Sequence, residues 1–475
     1  MANKHLLNLS QDQQRAMLRF KSFIDSDDKV FILSGYAGTG KTTIVREMID
    51  SLKKRDVPTH LLASTGRASK ILCNATGQGT STVHGLIYTF VDFNKKLKDM
   101  VTEDDKPIMD DNGQLLLQFE LNRSEDASRH YYFIDEASMV SDMRDSNESQ
   151  AHFGSGKLLK DLLDYDATGK YIFIGDSCQL PPVGQSFSPA LSKDYFSLTY
   201  GISVVETTMT EIMRQQKGND IIVAAQGLRK LYQNPQTWKW AKFPLKGFNN
   251  VHLVASQADL VDMYIDRIKK HGYNHSTMIV KSNSACEKLT RIMRPSLGLT
   301  STSLQKGDLL LVTQNNLISG LMNGDLVEVK DIGTSHIRAG LTFVRVTVEE
   351  LYTKRTFSQL LIEEIVYGRG TNLTQMQQKE LFIDFYIRMK NRDIEQEDEQ
   401  FKEEMRKDEY LNALRAVFGL VLTCHKSQGG EWDEVFIDIP RNYPLEQKPY
   451  VYQWLYTAIT RAKKDIYMVD DFYMM

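Results

Sequence analysis

From Val30 the chain reads VFILS, a short unbroken apolar run, then GYAGTGKTT, then IVREMIDSLKK with apolar residues three and four apart. The first pattern predicts a strand covered on both faces, and the second an amphipathic helix. Similar apolar runs recur at HLLAS (60–64), YYFID (131–135), YIFIG (171–175), MIV (278–280), GLVLT (419–423), EVFIDI (434–439) and IYMVD (466–470). Helical stretches lie between many of them. The expected fold class is therefore α/β, with doubly wound parallel sheets.

Two regions break this rhythm. Residues 89–130 are polar and turn-rich, and Asp111-Asn112-Gly113 before QLLLQFEL predicts a hairpin turn with its return strand. Residues 303–365 hold short strands (LLLVT, LVEVK, FVRVTVEELY) separated by Gly, Asn and Asp, which suggests a small β-barrel insert. Residues 374–415 are helix-prone and highly charged, and RDIEQEDEQFKEEMRKDE reads as a solvated helical face. The polar stretch 143–156 is expected to be a surface loop.

At 475 residues the chain is long enough for two to four domains. A net charge of −3 and 41% apolar residues exclude a polycation and a mostly disordered chain, but leave room for a local basic groove. Cys73, Cys178, Cys286 and Cys424 form no metal-clamp spacing and read as free thiols of a reducing compartment. The N-terminal MANKHLLNLSQDQQ has no apolar signal core, and no run approaches a membrane span, so a cytoplasmic protein without a membrane role is expected.

Gly35 to Thr42 fits GxxxxGK[ST] in full, between a predicted strand and a predicted helix. Glycines let backbone N–H groups turn toward phosphates, Lys41 can reach the β- and γ-phosphates, and the Thr42 hydroxyl can ligand Mg²⁺. Asp135 and Glu136 end another strand, where a sheet protein presents polar groups to ligand. Asp135 would hold Mg²⁺ through water and Glu136 would polarise the attacking water. Gln179, in GDSCQLPPVG, has both a donor and an acceptor with which to sense a γ-phosphate or that water. Arg214 and Arg461 are isolated charges in apolar helical contexts, either ion-paired helix residues or arginine fingers. Thr423-Cys-His425-Lys426-Ser427-Gln428-Gly429-Gly430 concentrates donors after a strand, which suits phosphate contacts.

This ordered set resembles superfamily 1 DNA helicases of the 1B branch, the RecD-like and Dda-like group, from about Leu9 to Val469. LSQDQQRA resembles the Q motif, GYAGTGKTT motif I, IDEASM motif II and GDSCQLPPVG motif III. The segment around Arg214 resembles motif IV, LTCHKSQGGEWDEV motif V and LYTAITRAK motif VI. STGRASK and STVHGL resemble motif Ia and the DNA-contact motif after it, with Ser64 where the family usually has Pro.

The resemblance implies two RecA-like domains with ATP between them. They are 1A (1–88 and 131–205) and 2A (206–302 and 416–475), with a hairpin insert 1B (89–130) and an SH3-like barrel plus helices as insert 2B (303–415). It implies a nucleotide site of Gln13, as the adenine contact, with Gly35, Gly38, Thr39, Gly40, Lys41, Thr42 and Thr43, and Mg²⁺ at Thr42 and Asp135. Catalysis would fall to Lys41, Glu136, Gln179, Arg214 and Arg461. Single-stranded DNA would meet Thr65, Thr82, His84, Thr423, His425 and Lys426. Insert 1B would carry a strand-separating pin, with Phe93 or Phe119 nearer the fork than the acidic turn at Asp110 and Asp111. The implied activity is ATP-driven 5′→3′ movement on single strands with duplex separation, by a monomer. A DNA-stimulated ATPase that displaces proteins stays open as an alternative, and the motifs do not distinguish DNA from RNA.

Overall fold

The computed structural model describes residues 9–102, 115–124, 126, 128–144, 151–213, 220–237, 240–368, 370–439 and 448–475. Arg214 and the predicted turn at 110–113 lie outside the described residues.

The first half carries strands β1 (Val30–Gly35), β2 (Thr59–Ala63), β3 (Thr80–Thr82), β4 (Tyr88–Phe93), β5 (Leu117–Leu121), β6 (Tyr131–Asp135), β7 (Ala151–Phe153), β8 (Lys170–Gly175) and β9 (Val204–Met209). Six of them form a parallel sheet in the order β3-β2-β6-β8-β1-β9. Both faces are covered, as the unbroken apolar runs require. Phe31 and Leu33 pack with the helices Gln11–Ile24 and Lys41–Lys53, through Phe20, Phe23, Ile44 and Met48. Val30 and Ile32 pack on the opposite face with Leu159, Leu162 and Phe196.

The second half holds β10 (Val251–Val254), β11 (Ser276–Val280), β12 (Leu309–Val312), β13 (Leu326–Arg338), β14 (Leu341–Glu350), β15 (Thr356–Ile362), β16 (Ala416–Phe418), β17 (Val421–Thr423), β18 (Trp432–Ile437) and β19 (Ala462–Val469). A second parallel sheet runs β10-β19-β18-β11-β17. The strands missing from the sequence reading, β3, β9 and β10, stand at sheet edges. There one side faces out, so β9 (VVETTM) is polar in its second half and β3 (TST) is polar throughout, and neither shows an unbroken apolar run.

Between β11 and β17 an antiparallel sheet forms in the order β15-β14-β13-β12-β16. Strand β16 lies just past the expected insert boundary at 415 and still pairs with β12, Leu311 opposite Val417. A buried ion pair fixes this sheet to the second parallel sheet. Arg294, on the helix Asn283–Ser296, donates to both carboxylate oxygens of Asp308 (2.8 and 2.9 Å) and to the carbonyls of Ser301 and Ser303. With every direction of the guanidinium fork engaged, the joint has a single geometry.

Strands β4 and β5 pair antiparallel, as a hairpin would, and β7 joins β5 in parallel. This corrects the reading of 143–156 as a plain surface loop, since Ala151–Phe153 is a strand and Phe153 stacks on Phe119 at 4.6 Å. Phe93 is buried, edge-on to Phe382 at 4.9 Å, and neither Phe93 nor Phe119 is an exposed tip. Phe93, Leu97, Met100 and Leu115 share one apolar cluster with Leu381, Phe382, Phe385 and Tyr386 of the helix Gln375–Lys390. That helix buries residues all round, whereas the charged helix Glu399–Lys407 buries only Phe401.

Replacing Phe382 by Ala is expected to destabilise the protein by about 3–5 kcal/mol through the cavity left between the small sheet and the helix. Urea unfolding would check this, and an unmoved midpoint would mean that the joint carries no stability.

Candidate nucleotide cleft and flanking surface

The loop after β1 is built to expose backbone N–H groups. Gly38 and Gly40 both sit at φ 78°, the left-handed region. A Cβ on Gly40 would also stand 2.5 Å from Gln13 Nε2. The helix Lys41–Lys53 starts at Gly40 and points its positive end into the loop. Lys41 Nζ donates to the carbonyls of Gly35 (2.7 Å) and Tyr36 (3.2 Å), and Thr39, fully buried, donates from Oγ1 to Tyr36 (2.8 Å). Thr42 and Thr43 stand exposed on the first turn.

Gln13 lies beside this loop. It closes a capping box with Ser10, accepting from the Ser10 N–H at 3.0 Å, and Nε2 faces the carbonyls of Thr39 and Gly40 at 3.5 Å. Arg214 is outside the described residues, but its predecessor Met213 donates its N–H to the Gly38 carbonyl at 2.9 Å. Asp12 anchors the same segment by accepting from the N–H groups of Thr210 (2.6 Å) and Glu211 (2.9 Å). The sequence reading passed over Asp12, although an acid in the first turn of a helix was its available signal.

Strand β6 delivers the acid pair. Glu136 takes a left-handed conformation (φ 51°), a strained position for a side-chain-bearing residue, and its N–H donates to Asp135 Oδ1 at 2.9 Å. Burial, then the neighbouring Glu136 carboxylate, push the Asp135 carboxyl up to about 6, against the pull of the Glu136 N–H and the Lys41 ammonium. Two carboxylates and a threonine hydroxyl are hard oxygen donors that fit a cation shared with phosphate oxygens, as Mg²⁺ prefers.

The loop after β8 meets the second half. Asp176 accepts from Tyr456 Oη at 2.6 Å, the Gln179 carbonyl accepts from Gln453 Nε2 at 2.8 Å, and the Leu180 N–H donates to Thr457 Oγ1 at 2.9 Å. Gln428 Nε2 donates to the Leu180 carbonyl at 3.2 Å. Cys178 and Leu180 lie in the apolar core of the second half, with Leu228, Trp454 and Leu455. The Gln179 side chain is buried, and its Oε1 meets no hydrogen-bond partner among the described residues. Arg461, also buried, donates to the Thr457 carbonyl (3.1 Å) and to Thr460 Oγ1 (3.2 Å) of its own segment, so its hydrogen bonds do not reach the loop after β1.

On the flanking surface, three expected contact residues share one device. Thr65, Thr82 and Thr423 follow or end parallel strands and cap the next helix, accepting from the N–H groups of Ala68 (3.2 Å), Gly85 (3.1 Å) and Lys426 (3.4 Å). Each hydroxyl spends an acceptor on the cap and keeps its proton for another oxygen. Ser282, which the sequence reading missed, does the same after β11 toward Ala285 (3.2 Å), and Val280 pairs with Thr423. The signal was the repeated order of apolar strand, hydroxyl residue and helix. His84 is exposed, edge-on to Phe153 at 5.3 Å, while His425 and Lys426 are half-buried. Burial lowers the Lys426 ammonium.

The two halves also touch here. The Arg67 guanidinium lies 4.5 Å from the Trp432 ring centre, and a Cβ on Gly430 would stand 2.8 Å from it. Burial draws Arg67 down to about 10, partly offset by Asp325 and Glu350. Lys70 pairs with Asp325 of the antiparallel insert.

A family model described as an AAA domain matches residues 8–237, and one described as a UvrD-like helicase C-terminal domain matches 418–469. The chain is 23% identical over 436 residues to the ATP-dependent RecD2 DNA helicase of Deinococcus radiodurans, covering 92% of this chain and 46% of that protein. It thus spans about half the length of the curated relative it matches. Among solved structures, Pif1 helicases at forked double-stranded DNA match at 17% identity and TM-score 0.48, over 97% of this chain and 92% of theirs. Pif1 from Bacteroides with ADP-AlF3 and single-stranded DNA matches at 17% and 0.45 (98% and 92%), and Pif1 from Candida albicans at 17% and 0.42 (98% and 95%). A stretch similar to an AAA domain is thus followed by one similar to UvrD-like helicase C-terminal domains. In these matches the chain is similar to helicases of the RecD-like group. Among the described residues, no helix is long and apolar enough to cross a membrane.

Asp135 binds its proton more tightly folded than unfolded, so its contribution to stability is present at low pH and is lost as pH rises through about 6. Asp135→Asn is therefore expected to raise stability at pH 8 by roughly 1–3 kcal/mol, and by about half as much at pH 5, inside the window between the unfolded and folded values. Thermal unfolding at the two pH values decides it, and a loss of stability at pH 8 would contradict the raised carboxyl.

Proposed function

We propose that this chain is an ATP-dependent DNA helicase that moves 5′→3′ along single-stranded DNA and separates duplex ahead of it. The observation that carries this reading is the loop Asp176–Leu180. It bears Gln179, with an unpartnered buried amide oxygen, and the second half of the chain grips it at four points. An event at a γ-phosphate would be felt at once by the second sheet.

In this reading the first parallel sheet is domain 1A (1–88 and 131–205, carried on to 209 because β9 pairs with β1) and the second is 2A (the rest of 206–302 with 416–475). The β4-β5-β7 region belongs to insert 1B (89–130), extended by β7, and the antiparallel sheet with its helices is insert 2B (303–415), of SH3-like kind. ATP lies on the loop Gly35–Thr43, with Gln13 beside the base. Lys41 leaves its own loop carbonyls for the β- and γ-phosphates. Thr42 and Asp135 would hold Mg²⁺, which would supply positive charge against the phosphates. Glu136 takes the proton of the attacking water, and Gln179 orients that water through its amide oxygen. Arg214 would supply one positive charge to the γ-phosphate. Arg461 exchanges its bonds to Thr457 and Thr460 for the γ-phosphate. ATP would close the cleft only by binding the closed state more tightly, and the two arginines supply that difference.

DNA would cross the capped helix starts, with Thr65, Thr82 and His84 on one half and Thr423, His425 and Lys426 on the other. Ser282 joins the second group. Such contacts read backbone, so binding is expected to be sequence-tolerant and to weaken with salt. One chain supplies both sides of the cleft, so a monomer suffices.

Lys41→Ala is expected to lower ATP turnover at least about a hundredfold while DNA binding holds. Turnover equal to wild type would remove Lys41 from the site. Strand separation on duplexes with only a 5′ or only a 3′ tail tests the rest. Unwinding from the 5′ tail alone is expected, and unwinding from the 3′ tail alone would overturn the polarity. ATP turnover stimulated by single strands with neither duplex opened would favour a translocase that displaces proteins.

A further inference from the structure

We propose that Tyr456 is the positioning residue through which the nucleotide loop and the second half sense each other; the proposal rests on the functional reading above. Tyr456 is 1% exposed and stands on the helix Lys448–Ile459 of the second half. Its hydroxyl donates to Asp176 Oδ2 at 2.6 Å and accepts from the Ala37 N–H at 3.3 Å. A phenol has one proton to give. Here the proton goes to the carboxylate and a lone pair to the amide, so one oxygen joins three segments: the nucleotide loop, the loop after β8, and the second half.

The neighbours of Tyr456 make the joint rigid. Gln453, one turn back, holds the Gln179 carbonyl, and Thr457, the next residue, holds the Leu180 N–H. The helix then ends two residues before Arg461. A second helix, Ile221–Gln233, packs against it and grips the preceding residue of the nucleotide loop. There the Arg229 guanidinium lies 3.5 Å from the Tyr36 ring centre and Gln233 Nε2 donates to Tyr36 Oη at 3.4 Å. Two consecutive residues, Tyr36 and Ala37, are thus held from across the cleft. Burial and Asp176 keep the Tyr456 proton in place well above the usual phenol range, so the link does not titrate at working pH.

A nucleotide that reshapes this loop must lengthen or strengthen the Ala37–Tyr456 bond and shift the helix that carries it. The same helix meets the DNA-facing loop through Cys424, whose thiol donates to the Trp454 carbonyl at 3.4 Å. Coupling of this kind is reciprocal, so nucleotide changes DNA affinity by the factor with which DNA changes nucleotide affinity.

The test is that factor itself. The Kd of the full chain for a fluorescein-labelled single-stranded oligothymidylate is measured by anisotropy, with and without a saturating non-hydrolysable ATP analogue and Mg²⁺. Wild type is expected to show Kd values differing by about fivefold or more, and Tyr456→Phe a ratio near one. Tyr452→Phe is the control. It removes a buried hydroxyl from the same helix, which among the described residues accepts from the Lys242 N–H at 3.4 Å, and is expected to keep the wild-type ratio. A wild-type ratio in Tyr456→Phe overturns the proposal while leaving the functional reading intact. Equal loss of the ratio in both variants also overturns it, because the effect would then be a loosened helix. A wild-type ratio of one overturns the functional reading, and the proposal with it.

Discussion

The loop from Asp176 to Leu180 begins in the first half, at the C-terminal end of β8, and finishes in the core of the second. Leu180 and Cys178 supply apolar packing there, while Asp176, Gln179 and Leu180 are tied by hydrogen bonds to Tyr456, Gln453, Thr457 and Gln428. Apolar burial gives the contact strength, and the polar bonds give it one register. Because β8 lies between β1 and β6, this register also positions the second half against the nucleotide loop and the acid pair. This insertion sets the placement of the halves beside the nucleotide loop, and Arg67 on Trp432 and Lys70 with Asp325 hold them elsewhere.

The cleft concentrates features that cost stability. Glu136 is held in a left-handed conformation, Asp135 is a buried carboxyl beside another, and the Gln179 amide oxygen is buried without a partner. Each is unfavourable in isolation; a cation would compensate the Asp135 charge and a water the Gln179 oxygen, while the Glu136 backbone strain stays. Clustering of such penalties at the ends of parallel strands marks a binding cleft rather than a packing fault.

The flanking surface follows from repetition of one local rule. A parallel strand ends, a hydroxyl residue caps the next helix, and the helix start points outward. It occurs at Thr65 and Thr82 on adjacent strands of one sheet, and at Ser282 and Thr423 on adjacent strands of the other. The two sheets therefore present matched pairs of donors. Arg67 on Trp432 and Lys70 with Asp325 brace the halves beside them.

The sequence by itself determined the interior parallel strands, the glycine loop after β1 and the acid pair after β6, because these depend on local backbone chemistry and on burial of both faces. Edge strands β3, β9 and β10 escaped it, since half-exposed strands carry no unbroken apolar run. So did β7, whose one partner-finding feature is Phe153 against Phe119. Only the tertiary structure decided what joins distant segments. In sequence Tyr456 is one letter of LYTAITRAK, and Arg461 is either an ion-paired helix residue or an arginine finger. Their partners, Ala37 and Asp176 for one and Thr457 and Thr460 for the other, follow from the docking of one half on the other. A hydrogen bond between residues hundreds of positions apart leaves no periodicity in either segment, so local sequence cannot encode it.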